Sequence, residues 1–311
     1  MNLNENASKI LKDIFAGRKI KLIDNLIFSI SKGKANGWSI GNKLRNRVYG
    51  KRNYISSEKI LFIGGSPRSG TNLLQSLIRT FDGIGGVYPE VCLFQDIKEE
   101  EFLNEFGLNK NEIIKAKKEA DDDIIKLSEI VLKQYKKKNK INLITLNAPK
   151  QGIFIDELFK YFPESKFIFM IRDGRDAAVS MKGYHGFSID QGTKIWTVSM
   201  NSRIKVKDKE NYMEIKYEDL VNFSIREMLR VSKFLGISMP SKDKIFNFFR
   251  KTKSEELKKI SALHEKQLSK PIYNTSIGRW KKDMNEEDKR IFKKIAGDIL
   301  IREGYEKDNN W

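Results

Sequence analysis

From Lys59 onward the chain switches repeatedly between the two periods of regular structure. Ile60-Leu61-Phe62-Ile63 is an unbroken apolar run, as expected of a strand covered on both faces, and Leu73, Leu74, Leu77, Ile78 and Phe81 then mark one face of a helix. Residues 99 to about 138 predict highly charged helix ending in Lys136-Lys137-Lys138, where cations complement the helix dipole. Ile141 to Leu146 predicts a second strand and Gly152 to Tyr161 a crossover helix. Pro163 stops that helix before a strand at Lys166 to Ile171, and a further short strand is expected at Tyr212 to Lys216. The last helix begins after Asn285, a good cap followed by Glu286 and Glu287, and ends at Gly304. Its core face combines Ile291, Ile295 and Ile299 with Phe292, Ala296 and Leu300.

Strands alternating with helices predict an α/β fold: a mostly parallel, P-loop-type sheet with helices on both faces, in a single domain over residues 58–311. Residues 1–57 read differently. Ile10, Leu11, Ile14 and Phe15, then Leu22, Ile23, Leu26, Ile27 and Ile30, recur at helical spacing. Gly33 and Gly37 interrupt them before a basic, poorly periodic stretch from Lys43 to Arg52. The expectation is a helical N-terminal extension, carrying either a solvated basic face or a contact with a membrane surface or acidic polymer.

Charge changes the picture more than composition does. The 311 residues carry a formal net charge of +18, and residues 1–57 alone hold twelve Lys/Arg against three Asp/Glu. Such a chain attracts anions: nucleotide cosubstrates, acidic acceptors, anionic membranes or nucleic acid. No apolar run is long enough to cross a bilayer, the first residues lack a signal-peptide pattern, and the one cysteine, Cys92, suits a reducing compartment. A cytoplasmic protein is expected. With only His185 and His264 as histidines, a zinc site is not.

The first candidate chemistry lies where the strand at Ile60 breaks into Gly64-Gly65-Ser66-Pro67-Arg68-Ser69-Gly70-Thr71-Asn72. A strand, a glycine-rich turn and a helix N-terminus together aim backbone N–H groups at an anion. Gly65 and Gly70 have Walker A spacing, yet Thr71 stands where that loop needs the lysine serving the β- and γ-phosphates. A nucleotide without a γ-phosphate is implied. The second segment is Phe167-Ile168-Phe169-Met170-Ile171-Arg172-Asp173-Gly174-Arg175-Asp176. Here a buried strand delivers Arg172 at its carboxyl end, with Ser180 eight residues on in the following helix. A guanidinium fork and a hydroxyl suit a second phosphate; in isolation Arg172 would as readily pair with Asp176 or cap a carbonyl.

Taken in order, these segments resemble the phosphosulfate-binding elements of sulfotransferases, which use 3′-phosphoadenosine 5′-phosphosulfate (PAPS). Pro67-Arg68-Ser69-Gly70-Thr71-Asn72 matches the family's 5′-phosphosulfate loop, and Arg172 with Ser180 matches its 3′-phosphate pair. Tyr217-Glu218-Asp219-Leu220 followed by Phe234-Leu235-Gly236, and Ser276-Ile277-Gly278-Arg279-Trp280-Lys281, resemble two further family segments, so the likeness runs from about residue 59 to 305. Ile171-Arg172-Asp173-Gly174-Arg175 is closer to the tyrosylprotein and the bacterial or carbohydrate enzymes than to cytosolic phenol enzymes. The latter carry a catalytic histidine, and no histidine lies between Asn72 and Arg172 here.

The resemblance implies that Arg68, Ser69, Gly70, Thr71 and Asn72 bind the 5′ side of PAPS, and Arg172 with Ser180 the 3′-phosphate. Glu90, in Tyr88-Pro89-Glu90, takes the place of a general base. Partial burial would raise its pKa; Asp96, Glu99 and Glu100 are nearby alternatives, and a surface or capping role is the plain one. Arg68 is placed to stabilise charge on the sulfuryl group and leaving phosphate. A family Lys-x-Pro motif is replaced by Asn147-Ala148-Pro149-Lys150, leaving Lys150 to swing in, Asn147 to donate a neutral hydrogen bond, or Lys150 simply on the surface. Trp280 either packs near the adenine or belongs to the core, His185 borders the acceptor side or has a structural bond, and Cys92 is a small filler.

The expected reaction moves a sulfuryl group to an acceptor hydroxyl, releasing 3′,5′-phosphoadenosine without a metal. The positive charge of the protein favours an acidic glycan or acidic peptide over a neutral phenol. Two rivals remain. A P-loop kinase would bind ATP with Mg²⁺, and a non-catalytic polyanion-binding protein would show steep salt dependence and no nucleotide preference. Nucleic acid is not the expected partner.

Overall fold

The computed structural model describes residues 52–87, 90–91, 93, 103–104, 106–245 and 275–311, all within one unit, Tyr49–Trp311. Most of the expected N-terminal extension, residues 1–51, thus lies outside the described residues, as do Tyr88, Pro89, Cys92, Asp96, Glu99, Glu100 and His264.

Among the described residues, five parallel strands form one sheet. They are β1 (Ile60–Gly65), β2 (Ile84–Gly86), β3 (Leu143–Asn147), β4 (Lys166–Ile171) and β5 (Tyr212–Lys216), in the order β2-β3-β1-β4-β5. Chain order explains where a ligand belongs. The connections leaving β1 and β4 run to opposite sides, so a crevice opens beyond the carboxyl ends of these adjacent strands.

Each central strand is buried on both faces, as its unbroken apolar run predicts. Ile60 and Phe62 of β1 join Phe167, Phe169 and Ile171 of β4 on one face, while Leu61 and Ile63 join Ile168 and Met170 on the other. The second face is covered by Leu74, Leu77 and Ile78 of α1 (Thr71–Ile78), with Met228 and Val231 from a later helix. The charged stretch expected from residue 99 resolves into α2 (Lys110–Ala120) and α3 (Ile124–Asn139). They are separated by Asp121 and Asp122, both at positive φ, a conformation aspartate tolerates. Asp123 then caps α3 through Ile125 N–H (2.9 Å) and Lys126 N–H (3.2 Å), and its other oxygen accepts from Asn53 N–H (2.7 Å) and Tyr54 N–H (3.0 Å). Glu129, nearly two turns along, accepts from Tyr54 Oη at 3.2 Å and from the Ser56 hydroxyl. One helix thereby holds the segment that leads into β1.

After β3 come a 3₁₀ turn (Pro149–Phe154) and α4 (Ile155–Tyr161), then β4, α5 (Gly174–His185) and α6 (Ile189–Ser202). Beyond β5 lie α7 (Tyr217–Asn222), α8 (Ser224–Leu235), α9 (Trp280–Asp283) and α10 (Glu286–Arg302), the last capped by Asn285 as expected. The periodicity left α6 unassigned because its buried face is partly hydroxylic. Thr193 and Ser199 are buried and bond back to the carbonyls of Ile189 (2.6 Å) and Ile195 (3.0 Å). Strand β2 was missed because three residues, two of them glycine, carry no alternation.

Trp196 of α6 is the largest wholly buried side chain among the described residues. It packs on Phe292 of α10 at 5.7 Å, and its indole N–H donates to the Arg172 carbonyl at 3.1 Å. Trp196→Ala is therefore expected to cost about 3–5 kcal/mol in urea unfolding. A loss below about 1 kcal/mol would show that the α6–α10 contact does not support the end of β4.

Candidate active site

The loop after β1 is shaped by two glycines. Gly65 has φ +155°, and a Cβ there would lie 2.5 Å from the Met170 carbonyl oxygen of the neighbouring strand. Gly70 has φ +92°, and a Cβ there would lie 2.5 Å from Cδ2 of Tyr217. Between them Arg68 adopts φ 67°, an uncommon conformation for a residue with a side chain, and Ser69 N–H closes the turn on the Ser66 carbonyl at 3.2 Å. Gly70 is the N-cap of α1 and supplies no side-chain cap, so the first N–H groups of that helix face the turn. The Ser69 hydroxyl is buried with no hydrogen-bond partner among the described residues. A half-buried turn with such a hydroxyl beside a helix N-terminus can receive anionic oxygens.

Arg172, at the end of β4, reaches over this loop. Its Nη1 donates to the Arg68 carbonyl and its Nη2 to the Ser276 carbonyl, both at 2.7 Å, while its buried Nε has no partner among the described residues. The guanidinium lies 4.3 Å from the centre of the Tyr217 ring, the same ring that limits Gly70. Ser180 does not pair with Arg172. Its hydroxyl accepts from Arg68 Nε at 3.2 Å, and Arg68 also stacks 4.3 Å from the Tyr184 ring, one turn further along α5. Burial pulls the Arg68 guanidinium below its ordinary pKa, although arginine remains charged. The two expected phosphate elements thus form one continuous surface, with Arg68 crossing between them.

Asp176 does not pair with Arg172 either. Fully buried, it accepts from Gly278 N–H (2.7 Å) and Trp280 N–H (2.9 Å), pinning the C-terminal motif against α5. Burial raises its pKa despite those donors. Trp280 sits in the core, 3.8 Å above the Arg175 guanidinium and 5.5 Å from Trp311. His185 is exposed at the end of α5, edge-on to Tyr184 and stacked on Phe187.

Glu90 comes to the same crevice. Asn72 Nδ2 donates to its Oε1 at 3.2 Å, and Arg68 acts on it electrostatically. Glu90 is exposed. Asn147, at the end of β3, is buried and donates to Asn72 Oδ1. The backbone of Lys150 lies in the 3₁₀ turn after β3; its side chain lies outside the described residues. Thr71 is buried at the start of α1.

Three contributors were not assigned from sequence. Tyr184 had a readable signal, the i, i+4 spacing from Ser180. Tyr217 as a floor and Asp176 as an anchor had none, because their partners are distant in the chain. Beneath the site Glu218 accepts from Asp173 N–H (3.1 Å) and from Tyr305 Oη (3.0 Å), and burial raises its pKa. The unfolded chain releases that proton first, so Glu218 removes stability as pH climbs from the ordinary glutamate range to the raised value. Glu218→Gln lacks this contribution. Urea midpoints of the native protein, relative to the variant, are expected to fall across that window; a difference that is constant with pH would contradict the burial account.

Comparison with known proteins adds to this geometry. Residues 61–241 match the model of the sulfotransferase family. The chain is similar to the protein-tyrosine sulfotransferase of Drosophila melanogaster, 26% identical over 257 residues, covering 75% of this chain but 48% of that protein. The chain therefore spans about half the length of that relative. It is also similar to protein-tyrosine sulfotransferase 1 of Danio rerio, 24% identical over 279 residues, covering 83% of this chain and 75% of the relative. Among solved structures, the sulfotransferase domain of the Synechococcus PCC 7002 olefin synthase shares the fold with a TM-score of 0.58 at 18% identity, over 80% of this chain and 98% of that domain.

Proposed function

Because the chain belongs to the sulfotransferase family, we propose that it transfers the sulfuryl group of PAPS to an acceptor hydroxyl, and that the acceptor is a tyrosine in an acidic peptide. One observation carries the donor assignment. Two buried polar groups without partners among the described residues, the Ser69 hydroxyl and Arg172 Nε, lie with the open N-terminus of α1 beyond adjacent strands β1 and β4. Two anionic groups on one nucleotide fit that arrangement better than one. Thr71 in place of the Walker lysine argues against a kinase, which must grip a γ-phosphate. The acceptor assignment is supported by the relatives named for protein tyrosine and by the charge of +18. An acidic glycan would satisfy the charge argument alone.

In this reading Ser69, Gly70, Thr71 and Asn72 hold the 5′ side, and Arg172 exchanges a backbone carbonyl for the 3′-phosphate beside Ser180. PAPS supplies an activated sulfuryl group, whose bond to the 5′-phosphate breaks as the acceptor oxygen bonds sulfur. Glu90 takes the proton of the acceptor hydroxyl; its exposure fits a base that meets an incoming peptide. Arg68, fixed by Ser180 and Tyr184, places positive charge where negative charge accumulates on the leaving side. Lys150 follows β3 by three residues and is the lysine we assign to the same side.

Calorimetry with 3′,5′-phosphoadenosine should show binding that weakens about 10- to 100-fold in Arg172→Ala, with ATP bound poorly. ATP binding that requires Mg²⁺ and ignores Arg172 would instead support a kinase. Glu90→Gln should leave bisphosphate affinity intact and lower kcat with a tyrosine peptide by about 10²–10⁴-fold. Unchanged turnover would remove Glu90 as the base.

A further inference from the structure

Glu90 is held by a short relay of side chains that begins in the core. Asn147 is the last residue of β3 and only 1% exposed. Its Nδ2 donates to Asn72 Oδ1, and Asn72 Nδ2 in turn donates to Glu90 Oε1 at 3.2 Å. A carboxamide carries an acceptor on one side and a donor on the other. Once Asn147 claims the Asn72 oxygen, the face left for Glu90 is the NH₂ group. The backbone beside Glu90 is tied to the same strand end: Val91 N–H donates to the Asn147 carbonyl at 2.9 Å, and Gln151 Nε2 donates to the Val91 carbonyl at 2.6 Å.

We propose that Asn147 is a positioning residue for proton removal, setting through Asn72 whether the Glu90 carboxylate meets a donor or an acceptor. The inference rests on Glu90 as the general base. A donor on the carboxylate favours its ionised form, the state a base must occupy before turnover. The Arg68 guanidinium faces Glu90 from the phosphate loop and favours the same form. Asn147 also bears a burden that packing alone does not explain, since its own Oδ1 is buried with no hydrogen-bond partner among the described residues. An apolar side chain would avoid that cost, so a buried amide here points to the hydrogen bond it donates.

The test combines a ¹³C-carboxyl titration of Glu90 in the ligand-free protein with the pH profile of kcat, for the native chain, Asn147→Leu and Asn147→Asp. Glu90→Gln serves for assignment. Asn147→Leu frees Asn72 to turn; Glu90 should then titrate about half to one pH unit higher, with the acid limb of kcat moving equally. Turnover at low pH should fall about three- to tenfold while 3′,5′-phosphoadenosine affinity stays within about twofold. Asn147→Asp offers an acceptor to the Asn72 NH₂ group, turning its carbonyl toward Glu90, and should move the titration further upward. A Glu90 titration unmoved in the folded variants overturns the proposal, as does bisphosphate affinity falling in step with kcat. If neither variant folds, Asn147 is structural and the proposal is again overturned. Full turnover in Glu90→Gln removes the base assignment itself, and is told apart because it appears without any change at Asn147.

Discussion

A single guanidinium joins the parts of this molecule that must act together. Arg172 leaves the end of β4, bonds the carbonyls of Arg68 and Ser276, and lies 4.3 Å from the centre of the Tyr217 ring, which packs over Gly70. Three segments more than a hundred residues apart in pairs are thereby held at one point above the sheet. An arginine suits this task because its planar fork can satisfy two acceptors at once while its face rests on an aromatic ring. The same fork geometry is complementary to a phosphate, and the proposed function draws on that complementarity.

Support for that point comes from below and behind. Trp196 donates to the Arg172 carbonyl, Glu218 accepts from the Asp173 N–H, and Asp176 fixes Gly278 and Trp280. Arg175 pairs with Asp173 and Glu306 and is covered by Trp280 and Trp311. Buried charges are costly unless every one has a partner, and here each anion is met by backbone N–H groups, a phenol or a guanidinium. The rigid surroundings place the site residues without asking the loop to hold its own strained turn, including the positive φ of Arg68.

On the opposite side of the crevice the anchoring is neutral. Asn147 and Asn72 stand between the core and Glu90. A neutral amide pair fixes orientation, whereas a lysine would add a point charge. Arg68 and Arg172 bring positive charge to the facing side, Arg68 held by Ser180 and Tyr184 of α5 and Arg172 by the end of β4 and the Tyr217 ring of α7.

How much of this was legible in the sequence follows from the range of the interactions. The strands at Ile60, Lys166 and Tyr212, the loop from Gly64 to Asn72, the cap at Asn285 and the position of Arg172 depend on neighbours a few residues away. Their periodicity and turn chemistry therefore specify them locally. The match over residues 61–241 shows that the loop and the Arg172 segment were read in the right family. The helix α6 and the strand β2 escaped because their burial is decided by what packs on them: hydroxyls satisfied by their own carbonyls, and a glycine pair supported by β3. The partners of the site residues lay further out of reach. That Ser180 meets Arg68, that Asp176 holds Gly278, and that Asn147 reaches Glu90 through Asn72 are contacts across the parallel sheet. A sequence lists the donors and acceptors, but a crossover fold decides which of them share a hydrogen bond.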